Sequence, residues 1–398
     1  MDYTLIYYHR IHFPSASGQT IQVLRDYYAM SGKAGIVHIL YRSRSPLNEM
    51  QTNDSLVDYG AELTPSFRMH CIADGLFGKY RTKRKVIHLT KLSEKTVIIV
   101  TRTLDHARDA ISIRDKFRSR GVKVILELHE TAIPHVIYHE ERRNFKAFFS
   151  LRNEKKVFHD VDGILCTAPP QLTTLDRIFP NHASAVILPN QYDPSFQSAP
   201  KKSRKRGKDA FHIRYAGQFS EWKNTDVMIK ALMFLPENIV LDIAGGSLGD
   251  EEATEKMLME KSRKHGVEKR VNYVGFLPPT RVLSFLTDAD CLLLPLGDNA
   301  QSRLFTSPMK LFEYAASGVP MVVTRQPTTL TLIKEGIHAL MADPDSPKEL
   351  AEAVKSISAD NKFAQKLAEN AKKWVAQYAP DKRVEKYKEF LLSVVRGR

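Results

Sequence analysis

The stretch Phe305-Thr306-Ser307-Pro308-Met309-Lys310-Leu311-Phe312-Glu313-Tyr314-Ala315-Ala316-Ser317-Gly318-Val319-Pro320 reads as one short helix with both ends marked. Ser307 is a residue type that caps helices, Pro308 suits a first helical position, and Gly318 can end the helix. Leu311, Phe312, Ala315 and Ala316 recur at helical spacing, which predicts an inward face. Met309, Lys310 and Glu313 fall on another face and can meet a common ligand. A helix start with free N–H groups and a nearby lysine suits a phosphate, and a Glu one turn further in suits a ribose diol. Working outward, the apolar runs 291–295 and 319–323 flank this helix as strands. Strand, helix and strand make a βαβ unit of a parallel sheet.

The same alternation extends in both directions. Toward the C-terminal side of the chain it predicts strands 211–216, 239–243 and 271–274, with helices 224–234, 251–265 and 280–287. In the first half it predicts strands at Leu5–Tyr8, 35–40, 96–100, 122–129, 163–166 and 185–188, with helices 19–30, 105–120 and 145–158. The rhythm stops near Asn190, and 191–209 is rich in Ser, Pro and Lys, as a linker would be. The expected organisation is a doubly wound domain over 1–190, a basic linker 191–209, and a second doubly wound domain over 210–378. A last helix over 379–398 follows. Two such units joined by a linker are expected to face a central cleft, where a ligand meets the strand C-termini.

Composition agrees with a globular chain of that size. The 398 residues are 43% hydrophobic, too many for a disordered chain, and the length suggests two cores. No apolar run reaches membrane-spanning length, and the N-terminus lacks the form of a signal peptide. Three scattered cysteines, Cys71, Cys166 and Cys291, suggest neither a disulfide framework nor a metal site and fit a cytoplasmic protein. The net charge of +14 gathers at Lys201–Lys208, Lys79–Lys85 and Arg114–Lys123, which suits an anionic membrane surface or a solvated basic face. A nucleic-acid partner is disfavoured because aromatic residues are not interleaved with the cations.

Further signals sit at predicted strand ends. The phrase 213–224 passes from a strand through Gly217 and Gln218 toward a helix start carrying Lys223. Gly245 and Gly275 end the next two strands, and Phe276 and Leu277 follow the second. Glycine at such places lets a ligand approach the backbone. In the first half, Gly18 stands between the first strand and helix, and His129-Glu130 ends a strand, where a His can orient a hydroxyl or relay a proton. Asp-x-Asp occurs at Asp160–Asp162, Asp288–Asp290 and Asp343–Asp345. These pairs read as turns and caps, and no metal is expected.

In order and spacing, residues 213–345 resemble the donor half of the retaining glycosyltransferases of family 4, the glycosyl transferases group 1, whose fold is called GT-B. The resemblance implies a sugar moved from a UDP- or GDP-linked donor to a glycan or lipid-linked acceptor, in cell-surface polysaccharide or glycoconjugate synthesis. It implies no cofactor beyond that donor substrate. Its donor set here would be Gly18, Gly217, Gln218, Lys223, Gly245, Phe276, Leu277, Ser307, Met309, Lys310 and Glu313. His129, Lys223 and Glu313 would serve catalysis, and the last helix would pack back on the first domain. Two departures stand out. Gln218 replaces the usual cation, and Phe305 replaces the first of two glutamates, so sugar recognition must differ, through Asn299, Gln301 or Arg303. A peripheral contact with the inner face of the membrane is expected from the basic clusters. The competing readings are a GT-B nucleotide-sugar epimerase and a basic nucleic-acid-binding protein.

Overall fold

In a computed structural model, residues 3–15, 17–43, 47–129, 131, 145–196, 210–219, 224–246 and 250–397 are described. The chain divides into one unit of Met1–Pro189 with Pro380–Arg398, and a second of Asn190–Ala379. In the first, the strands are β1 (Tyr3–His12), β2 (Gly35–Arg42), β3 (Phe67–Cys71), β4 (Thr96–Thr101), β5 (Lys123–Leu128), β6 (Gly163–Cys166) and β7 (Ala185–Ile187). They pair in the order β3-β2-β1-β4-β5-β6-β7, every described pairing parallel. Val97–Thr101 and Val124–Leu128 are buried without interruption, as strands covered on both faces must be. The edge strand β3 escapes the periodicity because Arg68 and His70 break its apolar run. The helices Glu49–Val57 and Gly78–Leu92 beside it are likewise found only in the structure.

The second unit holds β8 (Phe211–Gln218), β9 (Ile239–Gly246), β10 (Val271–Tyr273), β11 (Cys291–Leu294), β12 (Met321–Thr324) and β13 (Leu340–Ala342). Their order is β10-β9-β8-β11-β12-β13, again parallel in every described pairing. Each unit therefore reverses its winding beside its first strand, between β1 and β4 in one and between β8 and β11 in the other. A doubly wound sheet binds ligands outside the carboxyl ends of the strands at such a reversal.

Residues 191–196 correct the expected linker. Tyr192 and Phe196 are buried in the second unit's core, and Asn190 is bonded to Ser307. The basic run 201–208 lies outside the described residues. The last helix, Pro380–Arg396, belongs to the first unit, where Val384, Tyr387, Phe390, Leu391 and Val394 join its core. Gly163 opens β6 because a Cβ there would meet the Phe390 ring at 2.7 Å.

Candidate functional site

In the second unit glycines stand at or near the carboxyl ends of three adjacent strands: Gly217 in β8, Gly245 in β9, and Gly275 two residues beyond β10. Gly217 is paired with Gly245 across β8 and β9, and the Gly245 N–H donates to the Gly275 carbonyl at 2.8 Å. A Cβ on Gly245 would strike the Gly217 carbonyl, and its φ of 99° disfavours any other residue. Tyrosines brace this shelf. Tyr273 donates to the Gly245 carbonyl at 2.7 Å, and the Tyr314 hydroxyl accepts from the Ala216 N–H at 3.4 Å.

The helix Met309–Ser317 meets the shelf through Lys310, whose side chain fills the place where a Cβ on Gly217 would stand. Its ammonium lies 5.9 Å from the Tyr215 ring centroid. Burial pushes the Lys310 amine below its ordinary value, and the charge of Glu313 opposes the shift. Leu311, Phe312, Tyr314, Ala315 and Ala316 are buried, whereas Met309, Lys310 and Glu313 are half-buried on the other face. That division follows the helical period in the sequence. Gly318 ends the helix in the left-handed region, at φ 70°.

Ser307 corrects one expectation. Pro308 occupies the cap position, no side chain caps the helix, and its first turn carries no acid. The Ser307 hydroxyl instead accepts from the Asn190 N–H at 3.0 Å, while its carbonyl accepts from the Asn190 amide at 2.5 Å. The first-turn N–H groups are thus left without a side-chain partner. The neighbouring helix Glu251–Lys264 is the opposite case: Asp250 caps it at 3.1 Å, and Glu251 and Glu252 already sit in its first turn. Of these two helix starts, the one beside Lys310 is the one electrostatically suited to an added anion.

Gln218 ends β8, and Phe276 and Leu277 follow Gly275 half-buried, with Leu277 packed on the core. Lys223 lies outside the described residues. Phe305 is buried in the core, so it offers no substitute for a carboxylate. The three residues expected to replace it have local contacts. Asn299 caps the helix Ala300–Leu304, Gln301 donates to the Phe305 carbonyl at 3.1 Å, and Arg303 pairs with Asp298 at 2.7 Å. Of the Asp-x-Asp residues, Asp162 accepts from Arg114 at 3.0 Å and Asp290 from the His212 N–H at 2.8 Å. Among the described residues no group of three or more His, Cys, Asp or Glu is placed to hold a metal.

In the first unit Gly18 opens the helix Gly18–Ala34, whose cap is the Ser17 hydroxyl accepting from the Thr20 N–H at 3.2 Å. His129 follows β5. Arg102 donates to its Nδ1 at 3.2 Å, and its Nε2 faces Glu127 at 3.7 Å. Burial first, then the Arg102 charge, pushes the imidazole down to about 4, so it is neutral near pH 7. Burial raises the Glu127 carboxyl, but His129, Arg102 and Tyr27 outweigh it and hold it down to about 2. Tyr27 and Tyr387 both donate to Glu127, at 2.8 and 3.1 Å. Sequence reading did not single out Arg102 or Glu127. Their signals were present: Arg102 directly follows an apolar strand, and Glu127 is a lone carboxylate inside one.

The family model described as glycosyl transferases group 1 matches residues 196–374, nearly the whole of the second unit. Residues 196–374 are thus similar to the glycosyl transferases group 1. Across its full length the chain is similar in fold to sucrose-phosphate synthase from Thermosynechococcus elongatus, with 17% identity, a TM-score of 0.77 and all of both chains covered. Anabaena HepE in complex with UDP gives 15% identity and a TM-score of 0.70, over 99% of this chain and 100% of that one. The fold is GT-B. Among curated relatives, D-inositol 3-phosphate glycosyltransferase of Corynebacterium urealyticum is 22% identical over 57% of this chain and 55% of its own length. The chain spans about half the length of the curated relatives it matches.

Gly217 gives this site a direct test. In Gly217→Ala the new methyl group adds backbone strain at φ 158° and displaces the flexible Lys310 side chain, so the ammonium leaves its place. For an anion held at this shelf, losing one charged hydrogen bond weakens affinity by about 1.5–3 kcal/mol. Calorimetry on the folded variant checks this, and an unchanged affinity would detach Lys310 from the ligand.

Proposed function

We propose that this chain is a retaining glycosyltransferase that takes a hexose from a UDP- or GDP-linked donor held on the second unit. The observation that carries the reading is the placement of Lys310 over Gly217, beside an uncapped helix start and one turn from Glu313. In this reading the diphosphate lies on the glycine shelf, Lys310 and the helix N–H groups take its charge, and Glu313 holds the ribose. Gly245 gives the ligand room, Phe276 and Leu277 border the base, and Met309 and Gln218 line the approach. Lys223, Gly18 and His129 are candidates from the resemblance alone. The leaving diphosphate accepts the acceptor's proton on the same face of the sugar, which retains configuration. Stabilising negative charge on that leaving group is then the main chemical task. HepE was solved with UDP, which supports a nucleoside diphosphate as ligand for this fold.

A thermal-shift screen in chelator tests both the ligand class and the metal-free reading. A nucleoside diphosphate or nucleotide sugar raises Tm without divalent cations, because a ligand that binds only the native state stabilises it. A screen with no shift, or a shift appearing only when metal is restored, overturns the proposal. The epimerase alternative needs several acid and base groups around the sugar. It is weakened because both His129 ring nitrogens already face Arg102 and Glu127.

The acceptor in this proposal is a glycan or lipid-linked glycan, and the work takes place at the cytoplasmic face of the membrane. No helix among the described residues is long and apolar enough to cross a membrane. What supports a peripheral contact is the start of the helix Gly78–Leu92. There Leu76 is fully exposed, Phe77 and Tyr80 are mostly exposed, and Arg81 and Arg84 stand beside them. The Arg114–Lys123 cluster supports it less. Arg114 and Lys123 bond Asp162, and Arg120 donates to the Lys91 carbonyl at 2.8 Å. Phe77→Ser with Arg84→Ser is expected to abolish sedimentation with anionic liposomes at low salt. Equal binding of wild type to neutral vesicles, or to none, would remove the membrane from the reading.

A further inference from the structure

The carboxyl edge of the first unit's sheet carries two arginines with side-chain atoms that lack a hydrogen-bond partner. β2 ends at Arg42, and Arg102 directly follows β4, beside the winding reversal between β1 and β4. The Nε of Arg42 and the Nη1 of Arg102 are buried and have no hydrogen-bond partner. A buried guanidinium N–H without an acceptor is rare in a folded protein and calls for an explanation. Among the described residues the nearby carboxylates are engaged elsewhere. Glu127 takes hydrogen bonds from Tyr27 and Tyr387, Asp26 is paired with Arg383 at 3.1 Å, and Asp109 with Lys83 at 2.7 Å.

His9 lies within electrostatic reach of both arginines, with further imidazoles close by. His9 and His106 stand with Nδ1 atoms 3.5 Å apart and rings perpendicular, and Thr103 lies 2.7 Å from the His106 Nδ1. His129 accepts from Arg102, as above. Burial first, then the neighbouring His106, Arg102 and Arg42, keep His9 neutral. Neutral imidazoles offer hydrogen bonds to hydroxyl groups, whereas guanidinium groups favour phosphate or carboxylate oxygens. One sheet edge therefore combines sites for an anion with sites for a polyol.

We propose that Arg42 and Arg102 hold a phosphate or carboxylate group on the acceptor, so that the accepting molecule is an anionic sugar, polyol or glycan end. This rests on the glycosyltransferase reading and narrows it. Phosphate and carboxylate share the recognition chemistry, and the choice between them is left to separate arms of one experiment.

Calorimetry on the full chain, without nucleotide, compares inorganic phosphate, hexose monophosphates, inositol monophosphate, hexuronic acids and the corresponding neutral sugars. At least one anionic compound binds tenfold or more tightly than its neutral counterpart, and its affinity falls as salt rises. Binding confined to the phosphate arm or to the uronic acid arm identifies the group. Arg42→Gln and Arg102→Gln each lower that affinity tenfold or more while leaving nucleoside-diphosphate affinity within twofold. The wild-type comparison stands even if a variant misfolds. Absence of anion binding, equal binding of neutral sugars, or loss of nucleoside-diphosphate binding in the folded variants in place of anion binding overturns the assignment. Failure of the nucleotide to bind wild type at all is a separate result and counts against the glycosyltransferase reading.

Discussion

Lys310→Gln lowers the turnover number by about 10²–10³-fold, the cost of removing one preorganised charge from the atom where negative charge develops. The donor found by thermal shift serves as substrate. The melting temperature of the variant should hold or rise slightly. Burial already disfavours the Lys310 ammonium, so a neutral amide of similar reach removes a desolvation cost along with the charge. Glutamine can still reach over Gly217 but gives an uncharged hydrogen bond, which is weaker. Donor affinity falls less than turnover, because charge on the diphosphate grows as the bond to the sugar breaks. A turnover number within threefold of wild type, in a folded variant, would show that the leaving group is stabilised by other residues.

Arg383→Met destabilises the first unit by about 3–5 kcal/mol, the range for breaking a buried ion pair on one side. Arg383 and Asp26 are almost fully buried and 3.1 Å apart, and Arg383 also donates to the Leu188 and Pro189 carbonyls at 2.8 and 2.5 Å. The variant strands a carboxylate and two carbonyls together. Burial raises the Asp26 carboxyl and Arg383 opposes that rise, so its removal raises the carboxyl further. The sign follows from proton counting. With the folded pKa above the unfolded one, the folded chain holds more protons in that window, and stability falls as pH rises through it. The deficit of the variant is therefore smaller in the acidic carboxylate range than at neutral pH. Adding Asp26→Leu should restore much of the stability. Equal denaturant midpoints for wild type and Arg383→Met, or a deficit that grows on acidification, would contradict this account.

The pair also shows where reading along the chain stops. Asp26 and Arg383 are each an ordinary charged residue on an amphipathic helix, and nothing local marks them as partners across 357 positions. Arg42, Arg102 and His9 belong to the same class, since their proximity depends on strand order, which follows from packing whole sheets. Phe305 behaves likewise. Its place in the motif was visible, but its burial depended on neighbours distant in sequence.

What the sequence determined by itself is periodic or conformational. Alternating apolar runs and amphipathic stretches are enough to call two doubly wound units, because an uninterrupted apolar strand needs cover on both faces. The 3.6-residue period placed Lys310 and Glu313 on one face of their helix, opposite its buried residues, and Gly318 at its end. Glycines at 217, 245 and 275 were legible because few other residues fit a backbone that a ligand or a neighbouring strand approaches closely. The tertiary structure alone decided which helix start is uncapped, which cations are paired, and which imidazoles are neutral. Those properties are set by burial and by charges from other elements, and both arise only when the sheets are assembled.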